Sequence, residues 1–106
     1  MDALLIKRGI SPMTMNRWSH EGLVTSPTGH ARSARWPSVA FAEAVVIHHL
    51  RHELIFFKVR PEGLRRILTA LRQVEAGEKP SEPDLLRDPL YKEAAQTYRE
   101  ALGSIP

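Results

Sequence analysis

The sequence predicts a mainly α-helical fold, on three observations. Two short helical stretches joined by a glycine turn open the chain, a basic loop without helical period follows at 25–37, and two longer amphipathic stretches come after it. With 106 residues the chain can bury one modest core and is too short for two ordinary domains.

Asp2 to Arg8 reads as the first helix, with Leu4 and Leu5 available to the interior, Gly9 ending it and Ile10 pinning the turn. The second helix is expected from Ser11 to about His20. Ser11 suits the N-cap, because its hydroxyl can accept from a free backbone N–H, and Pro12 suits the first helical position, where a missing N–H is no loss. Met15 and Trp18, three apart, share a face directed to the core, which leaves Thr14, Asn16 and Arg17 on the others. Gly22 can take a left-handed turn that folds Leu23 and Val24 back onto the body. Two helices joined this tightly form a helix-turn-helix.

Thr25 to Pro37, TSPTGHARSARWP, reads as a hairpin or extended loop made basic by Arg32 and Arg35, with Trp36 anchoring its return. Ser38 is expected to cap a third helix through His52 or Glu53, with Phe41, Ala42, Val45, Val46, His49 and Leu50 as its buried stripe. Leu54 to Val59 fits a last helical turn, a bend or a short strand equally well. Pro61 opens a further helix in which Leu64, Ile67, Leu68, Leu71 and Val74 recur at helical spacing up to Gly77, while Arg65, Arg66 and Arg72 keep its other surface solvated. Glu78 to Asp88, acidic and holding two prolines, is expected to be a linker. A last helix is expected over Pro89–Leu102, with Leu90, Ala94, Tyr98 and Leu102 in line. The full expectation is a winged helix-turn-helix body over residues 1–76, then an acidic linker and C-terminal helix over 77–106.

The charges are unevenly placed. Residues 1–72 carry 11 Lys or Arg against 5 Asp or Glu, a net of +6; residues 73–106 carry 4 against 7, a net of −3. A basic first part suits a polyanion. With no cysteine, disulfide staples and thiol catalysis are excluded. The apolar runs are short and broken by charge, and the N-terminus reads without a secretory core, so a soluble cytoplasmic protein with no membrane contact is expected.

A helix seated by Met15 and Trp18 can present Thr14, Asn16 and Arg17 to the major groove of duplex DNA. There Arg pairs with guanine O6 and N7, and Asn with adenine N6 and N7. Arg32 and Arg35, on the loop that follows, can supply charge along the backbone or in the neighbouring minor groove, where neutralised phosphates release counterions. In these stretches, SPMTMNRWSHEGLV and TGHARSARWPS, the chain resembles the winged-helix DNA-binding domain of the MerR-like regulators and the related excisionase and phage-terminase small-subunit modules. The resemblance spans about residues 3–76. It implies that Arg17 lies on the DNA-facing helix, that Arg32 and Arg35 belong to the wing, and that Trp36 closes it. The wing here is longer than the compact glycine, arginine and aromatic cluster usual in that family, so Arg35 beside Trp36 is the closer positional match. The chain shows no evident effector domain, which favours a small architectural factor, repressor or recombination accessory protein over a ligand-sensing activator of the longer type. A dimer or cooperative array is expected, because paired half-sites multiply specificity.

The alternative is a protein-interaction or assembly module, such as an antitoxin or a phage assembly component. Its motive is the apolar FFKV stretch, the Leu64, Ile67, Leu68 and Leu71 face and the acidic tail: it would self-associate through Leu64, Leu68 and Leu71 and use the acidic C-terminal region to meet a basic protein partner or to cover the DNA-binding surface. His48 and His52, one turn apart, invite a metal, but a closed zinc site needs more ligands than any pair here supplies, and no metal or other cofactor is expected. Ser11, Ser19, Ser33 and Ser38 have cap or loop explanations and no assignable His and carboxylate partners. PTGHARSAR lacks the glycine spacing and Lys–Ser/Thr of a phosphate loop, so no catalytic residue is assigned and no enzyme is expected.

Overall fold

Glycines end the first two helices by the same device. At the first, Gly9 adopts φ +73°, which lets the Ile10 amide bond back to the Leu5 carbonyl at 2.9 Å and brings the buried Leu5 and Ile10 together. At the second, Gly22 at φ +76° lets the Leu23 amide reach the Trp18 carbonyl at 2.9 Å, with Trp18 and Leu23 both buried. Each turn therefore satisfies helix-end carbonyls and adds an apolar pair to the core in one step.

The computed structural model describes residues 3–27, 36–54 and 60–104. Among these the fold is mainly α-helical and holds no strand: α1 (Ala3–Lys7), α2 (Pro12–His20), α3 (Ser38–His48), α4 (Pro61–Glu75) and α5 (Pro89–Ser104). A π-helical turn, His49–Glu53, prolongs α3, and a 3-10 turn, Pro83–Arg87, leads into α5. The tip of the expected wing, with Arg32 and Arg35, lies outside the described residues, as do 55–59, where the sequence left helix, bend and strand open. None of the described helices is long and apolar enough to cross a membrane.

α3 is the central helix. Ala40, Ala42, Ala44, Val45, Val46, Ile47 and Leu50 are buried around its circumference, and α1 and α5 both pack against it. The expected broad stripe is thus corrected in its membership: Phe41 and His49 are half-buried, and burial extends to Ala40, Ala44 and Ile47. Short alanine side chains allow neighbours to close in on several sides at once. Ser38 is the first residue of the helix rather than its cap; Pro37, in extended conformation, occupies the N-cap without a side-chain hydrogen bond.

α4 buries the expected Leu64, Ile67, Leu68 and Leu71. The segment read as a linker is docked on it: Gln73 and Ser81 exchange two hydrogen bonds, at 2.8 and 3.0 Å, and Arg66 grips the Glu82 carboxylate with Nε and Nη2 at 2.8–3.0 Å. Asp88 Oδ1 then accepts from the Leu90 amide at 2.8 Å, and α5 begins. Its buried face is Tyr91, Ala94, Ala95, Tyr98 and Ala101, whereas the expected Leu90 and Leu102 are half-buried on its margin. These side chains join the same core as those of α1 to α4.

Candidate nucleic-acid interface

α2 owes its position to both ends and to one face. Ser11 Oγ accepts from the Thr14 amide at 3.2 Å, Pro12 occupies the first turn, and Gly22 closes the C-terminus. Met15 and Trp18 are buried beneath it. The Trp18 Nε1 proton is buried without a partner among the described residues, so apolar contact is what holds the ring.

The outward face is a regular series. Met13, Asn16, Arg17 and His20 are exposed and recur at i, i+3, i+4 and i+7, about 180° around the helix from Met15 and Trp18. Asn16 and Arg17 therefore stand where the sequence placed them. Thr14 stands elsewhere: it lies on the flank, half-buried, and its hydroxyl shares a hydrogen bond with Ser11 Oγ at 3.1 Å. Met13 and His20 complete the face, and reading the 3.6-residue period outward from the buried pair is the signal that finds them. The Arg17 side chain makes no hydrogen bond or ion pair among the described residues. The first turn of α2 holds no acid, and Glu21, exposed at the C-cap, is the first one along the helix.

Behind this face a buried ion pair fixes the exit of α2. The Glu43 side chain, 1% exposed, is hydrogen-bonded by Arg72 Nε and accepts from the Thr25 amide at 2.9 Å; Arg72 Nη2 donates to the Leu23 carbonyl at 2.8 Å. α3 and α4 thus both hold the exit at Leu23–Thr25, through Glu43 and Arg72. The expectation that Arg72 is simply solvated is corrected: its guanidinium turns inward because a buried carboxylate and a free carbonyl await it. Arg65, still exposed, donates from Nε to the Glu21 carbonyl at 3.2 Å and places a second α4 cation at the end of α2.

Leu64, Leu68 and Leu71, the expected self-association face, lie fully within the chain's own core, at no more than 1% exposure. The histidines lie at the far end of α3. His48 and His52 rings are 5.1 Å apart between centroids, and His49 bridges two carboxylates, with Nε2 at 2.8 Å from Glu93 and Nδ1 at 3.3 Å from Glu53. Burial works to raise the Glu53 carboxyl, but hydrogen bonds and charge from His49 and His48 outweigh it and hold the group below its ordinary range. No group of three or more metal-ligating side chains converges among the described residues. Comparison with protein-family models, curated proteins and solved structures finds no match for the chain.

Proposed function

We propose that the chain is a sequence-preferring duplex-DNA binding protein of winged helix-turn-helix type, a small transcriptional regulator or a phage or recombination accessory factor. The observation that carries this reading is the exposed face of α2, where Asn16 and Arg17, the latter with no side-chain partner among the described residues, stand on a helix whose opposite side is locked into the core. A helix so held can enter the major groove without reorganising, and amide and guanidinium side chains are the groups that read adenine and guanine edges there. Arg32 and Arg35 belong to the wing in this proposal and contact the backbone; Thr14, tied to Ser11, borders the groove rather than reading it. Of the features the assembly alternative rests on, Leu64, Leu68 and Leu71 are core residues, and the FFKV stretch lies outside the described residues.

Titration of fluorescent duplexes at several salt concentrations tests the assignment. Arg17→Ala should weaken binding and relax preference at one position, while Arg35→Ala should weaken binding to all sequences alike and flatten the salt dependence by about one unit. Unchanged affinity in both variants would defeat it. Selection of bound fragments from random DNA supplies the target and the half-site spacing.

A further inference from the structure

We propose that Met13 reads the 5-methyl group of a thymine, so that the N-terminal half of α2 selects an A·T pair. The inference rests on the DNA-binding reading of α2. Met13 is 82% exposed, more than Ile6 or Val39, the other large apolar side chains exposed among the described residues. Folding gains nothing from a side chain so placed. Isolated exposed apolar residues are common on protein surfaces, but Met13 occupies the second position of α2 on the same face as Asn16, Arg17 and His20. Side chains from the N-terminal turns of a recognition helix are the ones that reach base edges.

The thymine methyl is the one apolar group that the major groove presents, and it distinguishes T·A from every other pair. A thioether chain is flexible and polarizable enough to cover it. Asn16, one turn on, is the side chain suited to adenine N6 and N7. The two lie about 4.5 Å apart along the helix axis, close to the spacing of about 3.4 Å between stacked bases, so Met13 and Asn16 can address neighbouring A·T pairs while Arg17 addresses a guanine or a phosphate. Ser11 and Pro12 fix the start of the helix, and with it the position from which Met13 projects.

The test replaces each thymine of a selected duplex, one at a time, with deoxyuridine, which removes the methyl and nothing else. Wild-type protein should lose about four-fold in affinity at one position, the worth of one buried methyl group. Met13→Ala should bind the unmodified duplex weakly by a similar factor and be indifferent to deoxyuridine there, and Arg17→Ala should keep the sensitivity. Because Met13 is exposed, its variant should melt with the wild type, which circular dichroism checks. Binding that no deoxyuridine weakens, or equal sensitivity in Met13→Ala, overturns the inference and leaves the DNA-binding reading standing. A Met13→Ala protein with unchanged DNA affinity but altered sedimentation assigns the side chain to a protein contact and overturns it too. Failure of the wild type to bind any duplex overturns both.

Discussion

Removing Arg72 should destabilise the whole chain, and removing its partner with it should restore part of the loss. Arg72→Ala leaves the Glu43 carboxylate, 1% exposed, with the Thr25 amide as its remaining donor among the described residues, and strips the Leu23 carbonyl of its donor. Breaking a buried pair from one side costs about 3–5 kcal/mol. Arg72 is itself 35% exposed, so water can follow the truncated side chain toward Glu43, and the lower end applies. At about 5 °C per kcal/mol for a chain of this size, a loss of about 3 kcal/mol lowers Tm by about 15 °C. The double variant Glu43→Leu/Arg72→Met removes the buried charge as well and should regain about 2 kcal/mol, leaving the cost of the unpaired Thr25 amide and Leu23 carbonyl. Urea titrations and thermal melts followed by circular dichroism measure both. An Arg72→Ala protein within about 0.5 kcal/mol of wild type, or a double variant no more stable than the single, would refute the claim that this pair clasps the exit of α2.

Three further outcomes follow from the same geometry. Gly22→Ala meets no steric obstacle at Cβ but must hold φ +76°, so it should cost about 1 kcal/mol in urea titration, with the loss arising from backbone conformation alone. Leu68→Ala, at a fully buried position of α4, should cost about 2–5 kcal/mol and leave the sedimentation coefficient of the folded protein unchanged. For Tyr98 the sign is set by a raised pKa: burial, then the charges of Glu43 and Glu75, favour the neutral phenol against the pull of Arg72. The folded state then holds the proton more tightly than the unfolded state, so the stabilisation is present below the ordinary value of 10.0 and is lost as pH rises through the folded value. Tyr98→Phe should therefore show a shallower loss of stability above pH 10 than wild type.

What the sequence made legible was local, and what it concealed was long-range. Ser11, Pro12 and Gly22 announce the limits of α2 because capping chemistry acts within a few residues, and the leucines of α4 announce its buried side because the 3.6-residue period does. Glu43 and Arg72 are 29 residues apart, and a charge inside a helical pattern reads as solvated until the fold brings its counter-charge to it. The connector misled for the same reason: prolines and acids signal a linker locally, yet Glu82 and Ser81 find Arg66 and Gln73 on the preceding helix. That docking changes how charge masking by the acidic segment has to be tested. Deleting 78–106 would take Tyr91, Ala94 and Tyr98 out of the core, so weaker or stronger DNA binding by the truncated chain would report unfolding as much as unmasking. Neutralising exposed acids such as Glu78 and Asp84, whose side chains make no hydrogen bond or ion pair among the described residues, while leaving the Glu82 and Asp88 contacts in place separates the two, because those charges act on DNA through their field.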